Sequence, residues 1–293
     1  MTERDPFVTR RDFVRGTVAA AIGAATGGLA LAEGQPRPKR QAKVTIARDE
    51  KVMDARRTVD PAVLRAMLAT TLAGVTGQKT LSDAWRSLVT PKDVIGLVHT
   101  DHLNVTHKEL IDVVRATLVE AGIPADRIVL AQGGPGRAAA ATALIALPAL
   151  KAHWLTGIGT VMKNYIMFSG QPSNYHDANS AKLGEIWLRP EVKGKTKLVL
   201  VDALRPLCDK GPQPDPRYMW DYKGLIAGTD PVAAEAICLK LITAKRQALR
   251  GEPWPLSPPP LCVAAADEVY GLGTSRLDEI AIDARGWTAD LLV

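Results

Sequence analysis

Val94-Ile95-Gly96-Leu97-Val98, then Thr106-His107-Lys108-Glu109-Leu110 running to Gly122, then Arg127-Ile128-Val129-Leu130-Ala131: these three pieces decide the fold. The first is a short, mostly apolar run of the length and composition of a buried strand. The second opens with a capping-box pattern, Thr106 to Glu109, carries Leu110, Val113, Val114 and Leu118 at helical spacing, and stops at Gly122. The third is again a β-branched strand. A strand–helix–strand unit of this size puts its strands parallel, because a helical crossover returns the chain to the same edge of the sheet.

The same alternation extends in both directions. Lys43 to Ala47 reads as a first strand, and Asp60-Pro61 as an N-cap and first helical residue before Val63, Leu64, Met67, Leu68 and Leu72, with Gly74 and Gly77 ending that helix. Downstream, Gly133-Gly134-Pro135-Gly136-Arg137 leads into an Ala-rich helix, and Leu198 to Val201 and Gly224 to Gly228 are strands. Thr229-Asp230-Pro231 starts a helix to about Thr243, residues 253–260 form a Pro-rich loop, Val263 to Tyr270 a helix, and Leu277 to Ile282 a last strand. The expectation is a single α/β layered domain over residues 43–293, with a mostly parallel sheet flanked by helices.

Ahead of it, Arg10-Arg11 with Phe13 two residues on, an uncharged run from Thr17 to Leu31, and Ala30-Leu31-Ala32 match a twin-arginine signal peptide over residues 1–32. Residues 33–42, rich in Pro and basic side chains, read as a linker. The apolar run is about fifteen residues, short of the ~20 a membrane-spanning helix needs, so no permanent membrane anchor is expected. The chain is expected to engage the twin-arginine export machinery and to act in the periplasm or outside the cell.

A net charge of +6 without basic runs interleaved with aromatics argues against nucleic acid as a partner and leaves anionic small molecules. Cys208, Cys238 and Cys262 form no Cys-x-x-Cys pair, so an iron–sulfur cluster or structural zinc is not expected, and a disulfide among them stays open. Neither Gly-x-Ser-x-Gly nor His-Glu-x-x-His occurs, which removes the common hydrolase and metalloprotease readings.

Polar residues crowd into loops between Leu147 and Asp230. Lys151 and His153 alternate as strand residues, so they share a face, with Lys a cation and His a base or ligand; a surface Lys and a backbone-bonded His are the bland alternative. Lys163-Asn164 suits a carboxylate or phosphate or a solvated helix face. His176 lies beside Asp177, where metal ligation and simple exposure both stay open. Asp202 follows a buried strand, where parallel sheets host ligands. Gly133, Gly134 and Gly136 suit either an anion-holding turn or a tight turn alone, and lack the Gly-x-Gly-x-x-Gly spacing. Asp230 has a sufficient role as an N-cap. His99, Asp101, His102 and His107 could chelate a cation, although His107 lies within the capping box; no metal site is assigned.

In order along the chain come Pro148-Ala149-Leu150-Lys151-Ala152-His153, Lys163-Asn164, His176, Asp202, Gly211-Pro212, Asp230-Pro231-Val232-Ala233 and Gly271-Leu272-Gly273. This series resembles a prokaryotic domain family of unknown function, number 362, and the segment Thr106 to Ala131 looks like that family's N-terminal helix–strand pair. Members occur beside or fused to ferredoxin-like iron–sulfur modules, whose cysteines this chain lacks. The catalytic candidates are Lys151 and His153, which the resemblance favours, and Asp202, which its strand-end position favours; Lys163, Asn164, His176, Gly133, Gly134 and Gly136 are the ligand-binding ones. The expectation is that Lys151, His153, Lys163, His176 and Asp202 converge on one basic cleft for a small anionic substrate or cofactor of unknown identity. An enzyme-like protein and a non-catalytic binding or accessory protein for a redox system both fit.

Overall fold

The computed structural model describes residues 39–293; the signal-peptide reading and most of the linker fall outside the described residues. Among these, nine strands form one mixed, mostly parallel sheet with helices on both faces, an α/β layered fold. The strands are β1 (Ala42–Arg48), β2 (Ile95–His99), β3 (Ile128–Leu130), β4 (Ala143–Leu147), β5 (Ala149–His153), β6 (Gly157–Ile158), β7 (Thr196–Leu207), β8 (Gly224–Gly228) and β9 (Ile280–Gly286). Their numbering follows the chain; across the sheet the order is β3-β2-β4-β7-β8-β1-β9, with β5 pairing with β7 and β6. Pairs β2–β3, β2–β4, β4–β7, β5–β7 and β1–β9 are parallel, whereas β8 runs antiparallel between β1 and β7.

Alternation along β7 explains the two cores. Leu198, Leu200 and Leu204 pack with helices α1 (Pro61–Thr76), α2 (Leu81–Leu88) and α3 (Lys108–Glu120) on one face. Val199, Val201 and Ala203 face the other layer, built on α5 (Gly184–Trp187), α6 (Pro231–Arg250) and α7 (Leu261–Glu268). Full burial of each such Leu or Val side chain is worth roughly 1.5–3 kcal/mol. No helix of the described residues is long and apolar enough to cross a membrane.

The first helix forms as read: Asp60 accepts from the amides of Ala62 and Val63, Pro61 follows, and Gly77 closes it with φ 73°. Gly74, read as part of the stop, lies inside the helix. A Cβ there would sit 2.5 Å from the Thr45 side chain, so glycine permits the close helix–strand approach.

Two local expectations are corrected. The capping box at Thr106 does not form; His107 is the N-cap and no side chain caps the helix. The Thr106 hydroxyl instead donates to Leu147 O at the end of β4 and accepts from Thr100 N, at 2.6 and 3.0 Å. A carbonyl buried at a strand end costs more to leave unpaired than a helix amide that water can reach. The Ala-rich helix after Gly136 is also short: α4 spans Pro135–Ala140, and Ala143–Leu147 is β4, between β2 and β7. Helix propensity lost there to tertiary pairing in a strand buried at every residue. Helix α2 was not foreseen, although Thr80 caps it by accepting from Asp83 N.

Candidate functional site

A cavity of about 500 Å³ opens at the C-terminal ends of β2 and β3, beside β5. In parallel α/β sheets this end collects the loops that bind ligands. Strand β5 brings Lys151 and His153 to its wall, only 5% and 7% exposed. As their two-residue spacing requires, both side chains lie on one face and line the same cavity. Lys163 and Asn164 arrive from the 3-10 segment Met162–Ser169, and Gly133 from the turn after β3.

The cavity is electropositive and only weakly counterbalanced. Lys151 donates one hydrogen bond, to Asn104 O at 3.0 Å, out of the three its ammonium can make. Among the described residues no carboxylate lies within ion-pair distance of Lys151 or Lys163. Burial, reinforced by the charge of Lys163, lowers Lys151 to about 7, against a small opposing pull from Asp101. Burial also lowers Lys163 to about 8. His153 falls to about 3, because burial and then the charges of Lys163, His176 and Lys151 all oppose a proton.

His153 is therefore neutral near pH 7, and its Nδ1 accepts from Leu155 N at 3.1 Å. That assigns its ring proton to Nε2. His99 is built the same way, its Nδ1 facing the Gln132 amide nitrogen, with burial holding its basicity down. Two neutral imidazoles thus join two ammonium groups as donors, while Ile166, Met167 and Phe168 supply an apolar side. Gln132 also donates to His99 O at 2.9 Å, and Asn164 to Val98 O at 2.7 Å, so the walls are braced by their own polar groups.

His176 does not line the cavity; its ring stacks on His153, centroids 5.9 Å apart and planes 19° apart. Asp202 does not join the cleft, which corrects the expected convergence. Its carboxylate is captured behind the site by His107, whose amide and Nδ1 approach one oxygen at 2.7 and 2.8 Å, while Leu204 N reaches the other. A buried carboxylate takes the nearest fixed donors, and the start of α3 supplies them. Burial lowers the basicity of His107, but the charge and hydrogen bond of Asp202 outweigh it, leaving the ring more basic than usual. Gly134 is the N-cap of α4, and neither it nor Gly136 lines the cavity.

Several lining residues went unassigned in the sequence reading: Gln132, Met167 and Pro212. The Gly211-Pro212 motif had been noted without a role. Gly211 O accepts from Trp154 N, just past β5, and Pro212 O accepts from Asn104 N, whose own carbonyl receives Lys151. The motif thus fixes both ends of the lysine's surroundings. Gly273 is likewise explained, since a Cβ there would fall 1.9 Å from the Asp230 carboxylate. Asp230 caps α6 through Val232 and Ala233 and also accepts from Thr274 N, so the structural reading of that residue holds.

The residues do not fit an iron–sulfur cluster. Cys208, Cys238 and Cys262 are buried and unpaired, and burial raises all three thiols, Cys208 to about 11. Among the described residues no three His, Cys, Asp or Glu side chains gather to hold a metal ion, so His99, Asp101, His102 and His107 do not form a chelate.

No curated protein and no solved structure matches this chain. A sequence-family model, Domain of unknown function (DUF362), matches residues 50–240, a span holding all the cavity residues named above. Since that match covers well over half of the sequence, the chain belongs to the DUF362 family.

Proposed function

We propose that this is an exported, enzyme-like α/β protein that binds a small organic anion in the cavity beside β5. Lys163 and Asn164 serve the anionic group, and Lys151 and His153 face the reacting part of the ligand. The observation that carries the reading is the pair of lysines in one cavity without a carboxylate partner among the described residues. Desolvated cations left unpaired cost stability, and an anionic ligand removes that cost. The volume, about 500 Å³, suits an organic molecule better than a bare inorganic ion.

The test is a thermal-shift and calorimetric panel of phosphate, mono- and dicarboxylates and neutral analogues. Anions are expected to raise Tm, by an amount following roughly RT ln(1 + [L]/Kd), and Lys163→Gln to abolish the rise. Equal responses to neutral analogues would defeat the reading. Non-catalytic binding, as an accessory to a redox partner, is favoured by one feature: among the described residues Asp101 is the only carboxylate that lines the cavity. Turnover of a bound anion decides between the two.

Export through the twin-arginine route rests on Arg10-Arg11 and Ala30-Leu31-Ala32. Replacing both arginines by Lys is expected to leave precursor in the cytoplasm, because the receptor reads the guanidinium pair and not charge alone. Normal export of the double variant would refute it.

A further inference from the structure

We propose that Lys151 is a nucleophile that forms an imine with a small oxo acid, whose carboxylate is held by Lys163. This rests on the anion-binding reading and adds the ligand's second functional group. The geometry supplies three requirements together. Lys151 sits in the wall of the cavity, buried, on a strand whose neighbours fix its backbone. Its nitrogen is held by one neutral carbonyl oxygen, Asn104 O, and no carboxylate among the described residues pins it as a cation. A second ammonium, Lys163, lines the same cavity.

An amine attacks a carbonyl only when unprotonated, and desolvation beside a second cation is one of the established ways to free it. Burial and Lys163 act together in that direction here, bringing Lys151 to about 7. Lys163, lowered less, keeps its proton over a wider range and remains the carboxylate anchor. His153 contributes as a donor: with Nδ1 accepting from Leu155 N, its Nε2 proton is available to polarise a carbonyl oxygen.

The step balances without a further reagent. The Lys151 nitrogen lone pair adds to the carbonyl carbon, and the C=O π pair moves to oxygen, giving a carbinolamine. The C–O bond then breaks, and oxygen leaves as water with the two protons that began on nitrogen. A C=N bond to Lys151 remains. Neither carbon nor nitrogen changes oxidation state beyond the condensation, so no oxidant or reductant is needed.

The test traps the imine in the full-length protein at pH 7 with pyruvate and cyanoborohydride, whose hydride adds to the C=N carbon, followed by peptide mass spectrometry. The expected result is one adduct per chain at Lys151, at least about tenfold above exposed lysines such as Lys108, given the larger free-amine fraction. Acetone, which lacks the carboxylate, should label Lys151 at least about tenfold less. Lys163→Gln should erase that preference, and lactate should protect Lys151. Labelling spread over exposed lysines, or none at Lys151, overturns the imine. If pyruvate and lactate still raise Tm in that case, anion binding stands and only the imine fails. If neither raises Tm nor labels, both readings fall. Equal labelling by acetone overturns Lys163 as the anchor. Lys151→Arg, which keeps the charge, should bind lactate without forming an adduct, and an unchanged adduct yield in it would place the chemistry elsewhere.

Discussion

Arg246 and Lys151 are both nearly sealed cations, 2% and 5% exposed, yet their surroundings differ in kind. The Arg246 guanidinium donates to Trp254 O, Pro255 O and Cys208 O at 2.9–3.0 Å, pairs with Asp209, and lies 3.9 Å over the Trp254 ring. Arg48 repeats the pattern, bonded to Tyr222 O and Ala289 O and held over the Tyr222 and Trp287 rings. Lys151 has a single carbonyl, and Lys163 has no ion pair among the described residues. The cation that fastens loops is saturated with acceptors; the two that line the cavity are not. The difference separates structure from site without reference to any relative.

The largest expected effect lies on the structural side. Arg246→Met leaves Asp209 and three carbonyls facing an apolar group, and should cost about 3–5 kcal/mol in urea unfolding. A loss below about 1 kcal/mol would break the comparison, because Arg246 would then be no better fastened than the lysines.

Glu235 sharpens the comparison from the acid side. It is fully buried, with Oε2 accepting from the amides of Val161 and Met162, just before Lys163, and Oε1 without a hydrogen bond. Cys238 and Cys262 are the other titratable groups that feel it. Burial raises this carboxyl to about 7 against the pull of the amides. Between its unfolded value and about 7 the folded state binds the extra proton, so stability falls as pH rises through that window. The fall should total roughly 2–4 kcal/mol and flatten in Glu235→Gln, read by denaturant titration from pH 4.5 to 7.5.

Smaller still is the stability effect of Lys163→Gln, within roughly 1 kcal/mol and toward stabilisation at pH 6. The sign follows from its lowered basicity. Below about 8 the folded state carries a desolvated cation, and stability rises with pH from there toward the unfolded value. The variant should remove that rise, and a strongly destabilised protein at pH 6 would return Lys163 to a structural role.

The smallest effect concerns Asp202, whose carboxylate holds His107. Asp202→Asn should lower the His107 titration point in an NMR pH series, because the carboxylate charge and hydrogen bond that raise it are gone. In the wild type the raised basicity of His107 stabilises the fold below its unfolded value, and that contribution is lost as pH rises through the folded one. An unchanged titration point would mean the two side chains do not act as a pair.

The sequence by itself determined the layered α/β fold, because strand and helix periods, Asp60-Pro61 and Asp230-Pro231 are local signals that the final packing agrees with. It also determined that Lys151 and His153 lie on one side of their strand, since a strand's period of two leaves no choice. What only the tertiary structure decided was every partnership across the chain. Thr106 prefers a buried carbonyl 41 residues away to its own helix. The alanines before Leu147 are drawn into a strand by β2 and β7 on either side. Asp202 and Lys151, close in the sheet, part company because His107 offers one of them two donors while the other keeps a single carbonyl. Periodicity is written in neighbours along the chain, whereas the satisfaction of a buried charge depends on which distant groups arrive beside it.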